Sequence, residues 1–357
     1  MAEKKKQHYV PKFYLKFFSI EGNKTHLKIY NKINHKIIQK GNLKGQAQEN
    51  YFYGEDLALE NFFGEIEAES SAIFHEIVKT GILPKKNSKE HQYTWIFLLL
   101  QAYRTPTQAK EMNEMVDSMV KSILKYEKDF KRYDLSSFQI GLNDTPVRNI
   151  KTLIEGLPMM RDLELKLIAN NTNTPFITSD NPTFKYNQFL ESRNFKFGKT
   201  GMGCKGLQIF FPLSPSIMLI LYDPKVYKIG NKKQFSGISI TANDVDELNL
   251  LIFLYAHQAV YSNENVNDIY FESLLEKAKK YQNLGGINMK EYKNFNSGNS
   301  EKGESILIHH HREVIETSLQ LSFSKFTPHA KYYKLSGTAV ELRDLASLFK
   351  WENRDKT

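Results

Sequence analysis

The run Trp95-Ile96-Phe97-Leu98-Leu99-Leu100 lies inside a helical span at residues 88–104 and is apolar on every side. A helix with no polar face must be enclosed by other protein. It therefore demands a body large enough to cover it. The chain has 357 residues, enough for one large domain or two coupled ones. The run is also far shorter than the roughly 18 residues a membrane span requires. A second apolar run at residues 250–256 is equally short, so both read as core helices.

The pattern around this helix predicts the remaining elements. Residues 24–40 alternate like a small hairpin, and residues 55–79 repeat apolar side chains at helical spacing until Gly81 and Pro84. Further helices are expected at 107–131 and 146–160. The centre turns to strands at 163–169, 175–178, 206–212 and 216–222, with residues 181–205 as a long loop. A helix from Thr241 or Asn243 to about Tyr261 and another at 268–281 follow, then strands at 306–310 and 317–323. Helices first, strands in the middle and both again at the end predict an α+β fold, a helical N-terminal half packed on a central antiparallel sheet. Residues 1–285 are expected to form the core domain. Residues 286–304, rich in Asn, Lys, Gly and Ser, read as a mobile linker, and residues 305–357 as an extension packed on the core.

Composition narrows the class. The single cysteine, Cys204, rules out an intrachain disulfide framework and a cysteine zinc site. The opening lysines precede no apolar segment of a signal peptide, so cytoplasmic residence with no membrane contact is the expectation. The formal net charge of +9 permits contact with nucleic acid or a phosphorylated small molecule without demanding it.

Two apparent motifs fail. A phosphate loop ending at Gly198-Lys199-Thr200 needs a glycine where Arg193 stands. His309 and His311 would share one face of a strand, but with no clear carboxylate partner adjacent they read as an edge-strand or surface histidine cluster and not as a metal site.

Four places hold polar residues that packing explains poorly. Glu60 and Glu67, seven apart on one helix, project from nearly one line at the edge of its apolar face, where two carboxylates can hold a hard cation. Gln101 and Arg104 end the central helix, and a guanidinium buried there needs a carboxylate, a phosphate or carbonyls. Asp180 and Asn181 follow a strand end and precede Pro182, where an Asx turn or a functional carboxylate fits equally. His8, between Gln7 and an aromatic run and close to Pro11, is either a poised base or a cap donating to a backbone carbonyl.

The opening block from Gln7 to Phe18 resembles the signature start of the domain of unknown function 4238 family. The resemblance continues through Glu60 and Glu67, Gln101-Ala102-Tyr103-Arg104-Thr105-Pro106, Thr178-Ser179-Asp180-Asn181-Pro182, Phe211-Pro212-Leu213-Ser214-Pro215, Asn249 and Val260-Tyr261-Ser262. It spans residues 6–262 and leaves the tail after 280 outside. It implies a bacterial-type intracellular protein and carries over no catalytic residue, because no activity defines the family. Gathering His, Glu, Gln, Arg, Asp and Asn from distant segments nevertheless points to a site.

The expected function is a metal-dependent phosphodiesterase, a nuclease in a defence or toxin role. Glu60, Glu67 and Asp180 would hold Mg²⁺ or Mn²⁺, His8 would activate water, and Gln101 and Arg104 would bind the scissile phosphate. Lys185, Tyr186, Lys196, Lys199 and Lys205, with Asn249, would contact the nucleic acid. A metal-free nucleotide hydrolase or transferase of NAD type, and a non-enzymatic nucleotide- or partner-binding sensor, use the same polar set.

Overall fold

The computed structural model describes residues 5–231, 234–281, 286–293, 306–335 and 342–345. After the short strand Lys6–His8, Pro11 starts helix α1 (Lys12–Leu15). A hairpin follows, His26–Asn31 with Ile37–Asn42. Helix α2 (Ala58–Thr80) stops at Gly81, whose φ of 66° suits glycine and whose N–H closes on the Ile77 carbonyl. Ser88 caps α3 (Lys89–Gln101) by accepting from the His91 N–H. Pro106 then takes the first position of α4 (Pro106–Leu124), where its missing N–H costs nothing, so it starts a new helix. Helix α5 (Thr145–Gly156) completes the N-terminal helical layer.

Two sheets form the centre. The five-stranded sheet runs Ile238–Ser239, Glu164–Ala169, Ile217–Tyr222, Gln208–Ser214, Phe184–Tyr186, with only the first pairing parallel. The four-stranded sheet runs Ile37–Asn42, His26–Asn31, Ala259–Ser262, Thr178–Ser179, all antiparallel. Alternation splits the larger sheet between two cores. Ile209, Phe211, Leu219 and Leu221 join the cluster containing Phe74, Phe97 and Leu98. Phe210, Met218, Ile220 and Tyr222 join the cluster containing Leu248, Phe253 and Phe271. The second cluster is closed by α7 (Ala242–Tyr255) and α8 (Asp268–Ala278); the short α6 (Gln188–Ser192) contributes Phe189 and Leu190. The architecture is α+β, with strands covered on both faces. Of the run Trp95–Leu100, Phe97, Leu98, Leu99 and Leu100 are buried, while Trp95 and Ile96 are half-buried against the same core.

Tyr14 on α1 ties both sheets together. Its hydroxyl donates to the Pro212 carbonyl at 2.6 Å and shares a hydrogen bond with the Thr178 hydroxyl at 2.6 Å, with no exposed surface. Tyr14→Phe should therefore lower stability by about 1–2 kcal/mol, since it leaves two buried polar atoms without that partner. Urea denaturation reads this directly; an unchanged midpoint would show that the bonds contribute nothing net.

Several local expectations need correction. The strand runs expected at 163–169 and 175–178 do not share one central sheet. Glu164–Ala169 enters one sheet and Thr178–Ser179 the other, because Asn170 turns the chain by bonding the Thr174 and Pro215 carbonyls. The presumed loop at 181–205 contains the strand Phe184–Tyr186 and α6, capped by Asn187. Residues 317–323 join no sheet among the described residues, with Ser318 in the left-handed region at a φ of 55° and a turn at 322–323, and Ser324–Phe326 pairs with Tyr227–Ile229 instead. The expected linker at 286–304 opens as a strand: Ile287–Lys293 pairs antiparallel with Ile306–Arg312. That ladder supplies the backbone partners that a polar segment cannot find alone, and Glu291 is held by Lys125 and Tyr126 of the α4 end. Residues 294–304 lie outside the described residues. The described part of the tail packs on the preceding chain: Asp244 of α7 accepts from Ser322 N–H and hydroxyl, and buried Arg343 pairs with Asp162.

No helix among the described residues is long and apolar enough to cross a membrane.

Candidate functional site

The strand Lys6–His8 pairs with Gln48–Asn50, so its side chains alternate. Gln7 turns inward and is fully buried; it donates to the Gly54 carbonyl at 2.9 Å and accepts from the Tyr53 N–H at 2.6 Å. Lys6 and His8 turn the other way. With Lys5, Lys12, Phe13 and, from α2, Glu60, Phe63, Gly64 and Glu67, they line a cleft of ≈ 560 Å³.

Behind the cleft lies the end of α3. Arg104 is only 2% exposed. Its Nη1 donates to Glu67 Oε1 at 2.8 Å, and its Nε donates to Gln101 Oε1 at 2.9 Å. Gln101 Nε2 in turn donates to the Tyr9 carbonyl at 2.9 Å, and the Tyr53 hydroxyl donates to the Arg104 carbonyl. The guanidinium carbon sits 4.9 Å from the Phe63 ring centre and 5.6 Å from that of Phe97. Its Nη2 is buried without a hydrogen-bond partner. Glu67 is the carboxylate a buried arginine required.

His8 Nε2 lies 3.3 Å from the Lys44 carbonyl oxygen. A carbonyl accepts only, so Nε2 carries the proton and Nδ1 is left as the basic nitrogen. Burial, then the charge of Lys12, holds His8 below the ordinary histidine value of 6.5; Arg104 and Lys6 add to this and the Lys44 carbonyl opposes it. The neutral ring is thus favoured and oriented.

Asp180 stands apart from the expected metal set. It is 1% exposed and faces the backbone where α7 ends. Its Oδ1 accepts from the His257 N–H at 2.8 Å, and its Oδ2 accepts from Gln258 at 2.7 Å and Ala259 at 3.0 Å. Burial pushes this carboxyl above its ordinary range, and the three amides and His257 pull against that. Three short bonds leave it little capacity for a cation, and it does not line the cleft. Asn181 beside it accepts from the Thr105 hydroxyl and donates to the Tyr255 carbonyl, both at 2.8 Å. Among the described residues, no three His, Cys, Asp or Glu side chains cluster as metal ligands.

A family model described as "Protein of unknown function (DUF4238)" matches residues 6–265. The chain belongs to the DUF4238 family. The matched span of this DUF4238 protein runs from the His8 strand to just past Ser262, so it contains every cleft residue except Lys5, together with the Arg104 support. No curated protein and no solved structure matches the chain.

The remaining sequence candidates scatter. Tyr186 is buried, with its hydroxyl on Glu191 at 2.6 Å. Asn249 is a brace inside α7, accepting from the Ile177 N–H and donating to the Pro175 carbonyl. Lys196 is exposed, and Lys205 lies over the Tyr333 ring at 3.9 Å. Lys185 and Lys199 line a second cleft. Buried Tyr186 and Asn249 cannot touch a strand of nucleic acid, because their polar atoms are committed inside the fold. His309 and His311 do share a face, against the Phe197 ring. Lys5, Lys6 and Lys12 were not singled out from the sequence; for Lys6, the two-residue spacing to His8 was the available signal.

Proposed function

We propose that the His8 cleft hydrolyses phosphodiester bonds in nucleic acid. The observation that supports this most is the pairing of a neutral, oriented His8 with Lys5, Lys6 and Lys12 around one cleft, backed by the Arg104–Glu67 pair. The lysines draw in the phosphate; water attacks the phosphorus as His8 Nδ1 takes its proton, one P–O ester bond breaks, and the leaving oxygen takes a proton from solvent and departs as an alcohol. Asp180 has no part in this. Mg²⁺ commonly uses one or two protein carboxylates together with substrate phosphate oxygens, and Glu60 with Glu67 offers such a pair.

Labelled single- and double-stranded nucleic acid, incubated with the protein in Mg²⁺, in Mn²⁺ and in chelator, tests the proposal. Cleavage is expected in at least the metal arms and about 100-fold less with His8→Gln, the usual contribution of a general base. Cleavage that persists in chelator favours the metal-free route on the same residues. No cleavage in any arm, or wild-type rates from His8→Gln, removes the proposal. The pH profile adds a second check. His8 works unprotonated and its pKa is lowered, so the acid limb should fall below pH 6.5. A limb above about pH 7 would belong to another group.

A further inference from the structure

A second cleft, of ≈ 460 Å³, opens on the other side of the α3 end, between α4, the glycine-bearing segment 198–201 and residues 310–314. Three of its lining residues hold buried polar atoms with no hydrogen-bond partner. They are Asn149 Nδ2, Thr183 Oγ1 and His311 Nδ1, on residues 7%, 5% and 6% exposed. A buried polar atom without a partner is expensive, and three on residues that line one cavity call for a partner that a bound ligand, admitted by small side-chain rotations, can supply.

The charges choose the kind of ligand. Arg312 is neutralised by Glu111 at 3.2 Å and Glu114 at 2.9 Å, and Lys199 is paired with Glu316. Glu313 also lines the cleft and accepts from Asn288. Lys185 is different. Its ammonium makes no ion pair among the described residues; it lies 4.7 Å from the Tyr103 ring centre and 3.4 Å from Gln108 Oε1. A half-buried cation with no carboxylate, beside a donor amide, a hydroxyl and an imidazole, suits an anion with several acceptor oxygens.

We propose that this second cleft binds a small phosphate-bearing molecule, with Lys185 on the phosphate and Asn149, Thr183 and His311 completing its hydrogen bonds. The site is separate from the His8 cleft yet close to it in the chain. Tyr103 lines this one, its neighbour Arg104 supports the other, and Thr105 bonds Asn181, which lines this one again. Occupancy here therefore bears on the segment that holds Arg104.

The full chain is titrated by calorimetry and thermal shift with inorganic phosphate, AMP, adenosine and a short single-stranded DNA. Phosphate and AMP should bind and raise the melting temperature, and adenosine should not. Lys185→Gln should weaken AMP at least tenfold. Asn149→Leu should also weaken it, while leaving the free protein as stable as before or more so, because it removes an unpartnered amide. His8→Gln should leave AMP binding intact, which separates this site from the proposed hydrolytic one. The proposal falls if neither phosphate nor AMP binds, if Lys185→Gln binds AMP normally, or if the DNA alone binds. It also falls if Asn149→Leu destabilises the free protein while AMP affinity is unchanged.

Discussion

Glu67→Ala should destabilise the protein more than Arg104→Met does, although both break the same ion pair. Arg104 is 2% exposed and Glu67 is 27% exposed at the side chain. Removing the glutamate leaves a guanidinium that water cannot reach. Its remaining compensation is the Gln101 bond and the Phe63 and Phe97 rings. Breaking a buried pair from that side costs about 3–5 kcal/mol, and the rings and Gln101 put this case near the low end. Arg104→Met leaves a carboxylate that rehydrates in the cleft and an apolar side chain between two phenylalanines. Its cost should be about 1–2 kcal/mol, chiefly from Gln101 losing its donor. Chemical denaturation of the two variants and of the double variant decides the matter. If Arg104→Met is the more damaging, the guanidinium is not held as a buried charge, and packing dominates the site.

Asp180→Ala should be comparably severe, and for a reason unrelated to a metal. The three amides at 257–259 would lose the acceptor that buried Asp180 supplies, and the Ala259 amide is itself inside the fold. At about 1–3 kcal/mol for an unsatisfied buried group, incompletely additive, the loss should be on the order of 4 kcal/mol. Asp180→Asn should cost about half that, since the amide oxygen can serve Gln258 and Ala259 while the NH₂ faces one donor. Measured by denaturation and by amide exchange at Gln258 and Ala259, this graded pair is distinctive. A harmless Asp180→Ala that abolishes phosphodiester cleavage would instead restore Asp180 to the chemistry.

The same carboxylate explains the clearest misjudged boundary. Behind a capping Thr241 or Asn243, the apolar run at 250–256 is followed by Ala259, Val260 and Tyr261, so the pattern to about Tyr261 reads as one helix. In the fold, α7 ends at Tyr255 because the amides at 257–259 turn to Asp180, and the chain leaves as the strand Ala259–Ser262. Helical periodicity reports which side chains are apolar. It does not report that a carboxylate some 77 positions away will compete for the backbone.

Some features were legible in the sequence by itself because they rest on local chemistry. The apolar α3, the Ser88 and Gly81 helix limits, the hairpin at 26–42 and the reversal between Gln208–Ser214 and Ile217–Tyr222 depend on neighbours a few positions away. The need of Arg104 for a carboxylate was also legible, because it follows closely on the run Trp95–Leu100, which is apolar on every side. Which carboxylate answered was a tertiary matter: the packing of α2 on α3 presents Glu67, while Asp180 is drawn to the α7 end. Tertiary structure likewise sent Glu164–Ala169 and Thr178–Ser179 to different sheets, placed His8, Glu60 and Glu67 on one cleft and Lys185 and Lys199 on another, and left Asp180, Tyr186 and Asn249 in neither. Long-range partners are set by how whole faces pack and by where buried polar groups find their bonds, and no local spacing encodes either.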